Sequence, residues 1–242
     1  AETVAQPVKM DNELYLRGNQ LSADSKQWSL ARDLYLKCVD EDPRYAPAWA
    51  RLGRMYHVIG KYSNSAERES FDRAESAFRR ALDLNPDLPI AHKLYAQLEV
   101  DLGRAQDAMV RLVERARSAD PELFAGLVSA CRYCGLLDAS VAADKRARSL
   151  DRRTATSVAH TYFLRREYAQ VLNAKFENVP YIAAISLAEL GRRQEALDGL
   201  STLAPRASPR MKDFIAAAQS FIEDRPAEGL KAVHRIGSSD FR

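Results

Sequence analysis

Trp49, Leu52, Gly53 and Tyr56 recur at steps of three and four. Ala74 and Phe78 follow, four residues apart, and Pro86 closes the stretch. Residues at i, i+3, i+4 and i+7 share one face of an α-helix, so the first four form an apolar stripe in which Gly53 admits a neighbouring helix. Ala74 and Phe78 belong to that neighbour, small residue at the contact and aromatic filling the space beyond it. Pro86 stops the second helix and opens the next connection. Two helices that bury one another in this way leave apolar flanks, which only further copies of the same hairpin cover.

Those copies are legible on both sides. Upstream, Leu14, Tyr15, Gly18 and Leu21 form a first helix with one extra residue, and Ala31, Tyr35, Cys38 and Pro43 a second. Asp42-Pro43-Arg44-Tyr45-Ala46-Pro47 then launches Trp49, because proline is tolerated in a first helical turn. The helix carrying Trp49 should run from about 46 to 59 and close at Gly60, and its partner should start near 71. Between them Lys61 to Ser70 holds roughly nine extra residues, read as a polar insertion that is either a tolerated surface loop or a partner contact. Downstream, Tyr95, Ala96, Glu99, Gly103, Ala108 and Leu112 mark a third unit. Phe124, Leu127, Val128, Cys131, Gly135 and Ala147 mark a fourth. Past residue 150 the pattern loosens, with Val158, Ala159, Tyr162 and Tyr168, then Ala183, Ala184, Leu187, Gly191, Ala196 and Leu200. Phe214, Ala217, Ala218, Phe221, Leu230 and Val233 complete a terminal, capping pair.

This pattern resembles the tetratricopeptide repeat, a paired-helix unit of about 34 residues. The resemblance implies an all-α, right-handed superhelical solenoid of about six to seven antiparallel helix pairs. The expected organisation is a linker over 1–10 and one repeat domain over 11–242, with units near 11–43, 44–86, 87–120, 121–151, 152–177, 178–205 and 206–237. The family's usual role is as a scaffold for protein partners. Leu14-Tyr15-Leu16-Arg17-Gly18 adds a narrower likeness. It resembles the opening of repeat arrays carried by multidomain bacterial signalling proteins with a nucleotide cyclase, a winged-helix regulator or, most closely, a serine/threonine kinase. On that likeness the array is a regulatory module and the catalytic domain lies outside these 242 residues. The start at Ala1 and not Met reads as a trimmed or processed end.

Composition narrows the function classes. Thirty-six Lys and Arg against thirty-three Asp and Glu leave a formal charge of +3, too balanced for a dedicated nucleic-acid binder. Residues 142–168 do run basic, with Lys145, Arg146, Arg148, Arg152, Arg153, Arg165 and Arg166 against Asp144, Asp151 and Glu167. A solvated helix face and a docking patch for an acidic partner both fit that run. No apolar run approaches the roughly 20 residues that span a bilayer. Three cysteines do not make a disulfide framework, so the expectation is a cytoplasmic chain without a membrane segment.

Chemistry is sought and not found. Gly53 to Gly60-Lys61 is the nearest approach to a phosphate-binding loop, but its glycines are too far apart, Tyr62 stands where a hydroxyl residue is needed, and Gly53 lies inside a helix. Cys131-x-x-Cys134 lacks a second ligand pair and reads as compact apolar packing. His57, His92, His160 and His234 are scattered one to a helix, away from any nucleophile. No catalytic, metal or cofactor residues are assigned.

In the tetratricopeptide family, partners lie on the concave face and are touched by the second, fifth, ninth and twelfth positions of each first helix. Carried onto this sequence, the resemblance implies Asn19, Arg54, His57, Lys93, Gln97, Arg132 and His160 as groove residues, with Arg51 and Tyr133 beside them. The set is polar and net basic. It suits a protein or peptide partner bearing carboxylates, and self-association is the other expectation. The alternative is that these residues only solvate the concave face. The two-carboxylate clamp of chaperone-binding members is not matched, since Ala50 stands where its lysine would be.

Overall fold

The computed structural model describes residues 13–62, 67–116, 119–174, 180–207 and 209–236, and within them no strand is present. Fourteen α-helices alternate in direction: α1 (Glu13–Leu21), α2 (Trp28–Glu41), α3 (Ala46–Tyr62), α4 (Glu67–Leu84), α5 (Pro89–Asp101), α6 (Ala105–Arg115), α7 (Pro121–Tyr133), α8 (Leu137–Leu150), α9 (Val158–Leu164), α10 (Tyr168–Asn173), α11 (Pro180–Glu189), α12 (Arg193–Leu203), α13 (Pro209–Ile222) and α14 (Pro226–Ile236). Each odd-numbered helix packs on the even one after it, and α3, α5 and α7 lie side by side. The expected all-α solenoid of antiparallel helix pairs is the fold. The expected linker over 1–10 lies outside the described residues.

Helix starts follow local chemistry. Pro89 and Pro121 occupy first-turn positions, where a missing N–H costs nothing, and the Asp120 carboxylate accepts from the Glu122 amide at 2.8 Å. Helix ends are more uniform still. Gly103, Gly135 and Gly191 take φ of 77°, 76° and 81°. After each, the next amide donates to the carbonyl five residues back: Arg104 to Glu99, Leu136 to Cys131 and Arg192 to Leu187. This double-bonded end satisfies carbonyls that the last turn would orphan. The same turn closes α9 and α13, but with Arg166 (φ 59°) and Asp224 (φ 58°) in the left-handed position.

The core is a row of clusters along the stack. Around the first two pairs, Ala31, Tyr35, Cys38, Leu52 and Met55 are closed from solvent, and Phe71, Ala74, Phe78, Leu94 and Leu98 carry it on to α5. The Phe78 ring is fully buried and stacked on Tyr95 at 5.5 Å between centroids. Burying one such side chain contributes about 2–3 kcal/mol.

Three expectations are corrected. Gly60 does not close α3, which runs through it to Tyr62; a Cβ there would meet the Ser70 Cβ at 2.7 Å. Nor does the second helix wait until 71, since α4 starts at Glu67. The extra residues therefore lengthen both helices, and 63–66, the remainder of the expected insertion, lie outside the described residues. Trp49 is only partly buried, at the edge of two clusters, with its indole N–H donating to the Pro43 carbonyl at 3.0 Å. Tyr35, Leu52 and Phe78 hold the centre instead.

Candidate interaction face

The candidate side chains all lie on first helices of successive pairs: Asn19 on α1, Arg51, Arg54 and His57 on α3, Lys93 and Gln97 on α5, Arg132 and Tyr133 on α7, and His160 on α9. Neighbouring helices tie several of these to one another. Arg54 Nη1 donates to Gln97 Oε1 at 3.2 Å across the α3–α5 seam. His57 Nε2 lies 2.6 Å from Asp101 Oδ2 at the end of α5, and Lys61 Nζ donates to both Asp101 oxygens at 2.8 Å. Burial pushes the Asp101 carboxyl up, but the His57 bond and the Lys61 charge outweigh it and hold the group below the usual carboxylate range. Burial likewise lowers His57.

One helix further on, Lys93 Nζ pairs with Glu122 Oε2 at 2.7 Å and reaches the Ala155 carbonyl at 3.4 Å. Arg132 Nη1 donates to the Ser157 carbonyl at 2.9 Å and its hydroxyl at 3.0 Å, while the guanidinium lies over the Tyr133 ring at 5.3 Å. His160 is pushed down to about 4 by burial and then by the Arg132 charge, so it is neutral at pH 7. Tyr133 is 54% exposed. α9 is only seven residues long, and the non-helical segment 154–157 before it is held at Ala155 by Lys93 of α5 and at Ser157 by Arg132 of α7. Main chain here occupies part of the face.

Asn19 and Arg51 complete the set. The Tyr35 hydroxyl donates to Asn19 Oδ1 at 2.8 Å. Burial raises that phenol to about 12, so it remains a donor. Arg51 makes no ion pair with any described residue, and its Nε is buried without a hydrogen-bond partner.

Sequence reasoning missed Lys61, Asp101 and Glu122, which set the charge balance of the face. Lys61 was readable as the residue one turn beyond His57, at i+4 on the same side. Asp101 and Glu122 carry no local signal, because their partners are distant in sequence.

A cavity of about 500 Å³ lies elsewhere, between α2 and α4 above α3, floored by Leu36, Trp49, Leu52 and Tyr56 and rimmed by Asp72 and Arg80. It opens on the side of α3 turned away from Arg54. Among the described residues no group of three or more His, Cys, Asp or Glu side chains is placed to hold a metal, and no helix is long and apolar enough to cross a membrane. Cys38, Cys131 and Cys134 are not joined in disulfides; burial raises Cys131 and Cys134, which makes both less reactive.

With this geometry in place, comparison with known proteins is informative about fold. Residues 66–123, a stretch that ends in α7, match the tetratricopeptide repeat family. That stretch keeps the family period, whereas the lengthened α3–α4 hairpin departs from it. Among solved structures, a chain of the APC/C hetero-tetramer Cut9–Hcn1 is 19% identical with a TM-score of 0.58, over 86% of this chain and 46% of that one. This chain therefore spans less than half of that relative. A thermophilic tetratricopeptide protein in Thermus thermophilus is 20% identical (TM-score 0.54; 68% of this chain, 82% of that one). A tetratricopeptide repeat protein from Parabacteroides merdae is 11% identical (TM-score 0.54; 94% and 92%). No curated protein sequence matches the chain. Together these likenesses establish the fold as a solenoid of tetratricopeptide type.

Proposed function

We propose that this solenoid is a non-catalytic scaffold that holds an acidic peptide or protein segment against the face formed by α1, α3, α5 and α7. The observation that carries this reading is the charge imbalance of the face. Lys61 and Lys93 are neutralised by Asp101 and Glu122, but Arg51, Arg54 and Arg132 have no carboxylate partner among the described residues. Arginine forks bind carboxylates through paired, charge-assisted hydrogen bonds, and a partner would make contact through these and the apolar surface between them. Three cysteines that form no disulfide favour a reducing, cytoplasmic setting. Nucleic acid and membrane are not the expected partners, and a second copy of the chain is an alternative one.

The test is selection of random hexapeptides on the immobilised chain, with binding of the recovered sequences followed against salt. Acidic sequences whose affinity falls as salt rises are expected. Recovery of basic or purely apolar sequences would discard the reading. A regulatory role within a larger bacterial signalling enzyme is a second reading, favoured by the Leu14-Tyr15-Leu16-Arg17-Gly18 string on α1. The complete open reading frame tests it: a kinase or cyclase domain supports it, and a frame with no signalling domain removes it.

A further inference from the structure

Between α2 and α4 the solenoid has a second surface, on the side of α3 turned away from Arg54. Both helices pack on α3, and the cavity of about 500 Å³ between them is open to solvent and within the size range of ligand sites. Its floor joins the partly exposed Leu36, Trp49 and Tyr56 to the buried Leu52. The two aromatic rings are held in place. Trp49 donates its indole N–H to the Pro43 carbonyl at 3.0 Å, and the Arg73 guanidinium, paired with Glu69 at 2.5 Å, lies over the Tyr56 ring at 5.9 Å. Aromatic surface that is already fixed costs little further ordering when a partner covers it.

The α4 wall of this groove carries a charge pattern. Asp72, Ser76 and Arg80 all line it and are spaced four residues apart, so they run along one side of the helix with the acid and the base about 12 Å apart on its axis. Other charges of α4 are matched, Glu69 by Arg73, and Glu75 by Arg79 and Arg104. Asp72 and Arg80 are exposed and make no ion pair or side-chain hydrogen bond with any described residue. An apolar floor is thus bordered by one unmatched acid and one unmatched base, two helical turns apart.

We propose that this groove seats an amphipathic helix of a partner protein, with leucine or aromatic side chains on the floor, a lysine or arginine opposite Asp72 and a carboxylate opposite Arg80. The walls decide for a helix over an extended segment. Backbone groups of α2 and α4 are bonded within their own helices, so an extended chain laid on the apolar floor would bury amides with nothing to pair them, whereas a helix satisfies its own. A helix also returns side chains to one face every three or four residues, which matches the step of Asp72, Ser76 and Arg80. The unmatched acid and base fix which way round it lies. This surface is separate from the face that carries Arg54, and neither reading depends on the other.

The probe is a terminally blocked, alanine-based helical peptide that carries leucine, phenylalanine and leucine on one face between a lysine and a glutamate two turns apart. Two companion peptides replace that charge pair by two lysines or by two glutamates. Indole N–H resonances of the full chain are followed by NMR, Trp49 on the floor reporting the groove and Trp28, which does not line it, serving as internal reference. A saturable shift of Trp49 with Trp28 unmoved is expected, the lysine–glutamate peptide binding about threefold or more tighter than either companion. Arg80→Glu should reverse that order in favour of the two-lysine peptide, and Ser76→Phe, which narrows the opening, should abolish the Trp49 shift. Both positions are exposed, and circular dichroism establishes that the variants are folded. Arg54→Glu should leave the affinity of the lysine–glutamate peptide unchanged within about twofold. No saturable Trp49 shift with any peptide, equal affinity for all three, or an order that Arg80→Glu leaves unchanged overturns the proposal. So does binding that Arg54→Glu abolishes, which puts the peptide on the other face. Saturation by N-acetylphenylalanine amide as tight as by the peptide overturns it in favour of a small-molecule pocket, and a Trp49 shift that grows with protein concentration alone overturns it in favour of a second copy.

Discussion

Gly53 on α3 lies directly against the ring of Phe78 on α4: a Cβ built at Gly53 would stand 2.9 Å from Phe78 Cε1 and 3.0 Å from Cδ1. The ring is fully buried and stacked on Tyr95, so it has nowhere to retreat. The same relation recurs between Gly18 and Tyr35, where the Cβ would come within 2.7 Å of Cε1. Glycine at these positions sets how closely the two helices of a hairpin approach.

Gly53→Ala therefore pits two effects against each other. Alanine favours the helix by about 1 kcal/mol, but overpacking against an immobile ring costs about 1–3 kcal/mol. A net loss of stability is expected in urea denaturation. A variant more stable than the parent would show that Phe78 has room to move.

Arg166→Gly should do the reverse. Arg166 sits at φ 59° in a turn that Gly103, Gly135 and Gly191 make at no steric cost, and an L-residue there is strained by about 1–2 kcal/mol. After the entropy that glycine adds to the unfolded chain, a gain of about 0.5–1 kcal/mol remains. A thermal midpoint unchanged or lowered would contradict this. Asp224→Gly, at φ 58°, should gain less, because aspartate tolerates that conformation better.

Asp101→Asn removes the carboxylate shared by His57 and Lys61. Breaking a buried, hydrogen-bonded pair costs about 3–5 kcal/mol, and less applies here because Lys61 keeps about a quarter of its surface (26%) in water. A loss of about 2 kcal/mol in denaturant unfolding is expected. An effect within experimental error would mean that solvent replaces the carboxylate freely.

Acid should weaken the fold well before carboxylates titrate. Burial, reinforced by the Arg111 and Arg115 charges, pushes His92 down to about 4, against the Pro86 carbonyl and Asp87, which pull it up; His160 is likewise near 4. An unfolded histidine takes up its proton near pH 6.5, so between about 6.5 and 4 the unfolded chain binds more protons than the folded one. Stability contributed above 6.5 is lost as pH falls through that window. Urea midpoints at pH 7 and pH 5 should differ accordingly, and His92→Gln should shrink the difference. Equal midpoints in the parent would refute the assignment.

Arg54→Glu should weaken capture of acidic peptides while preserving helical content, because the side chain is partly solvated and its hydrogen-bond partner among the described residues is the neutral Gln97. Equal affinity of variant and parent at low salt would remove Arg54 from the interaction face. Lys93 is a poorer target, since reversing its charge sets an acid against Glu122.

The spacing of Trp49, Leu52, Gly53 and Tyr56 against Ala74 and Phe78 by itself determined that helices pair, because a 3.6-residue period and one small residue leave little choice of partner. Pro43, Pro86 and the turn glycines marked several unit ends for the same local reason. Tertiary structure alone decided what depends on distance between helices. It placed Trp49 at an edge, drew 61–62 and 67–70 into two lengthened helices, and let Asp101 and Glu122 neutralise lysines far away in sequence. It also left Arg51 and Arg54 without an acid among the described residues. Charge balance on a face is a sum over neighbours that only stacking brings together, and no local pattern encodes that sum.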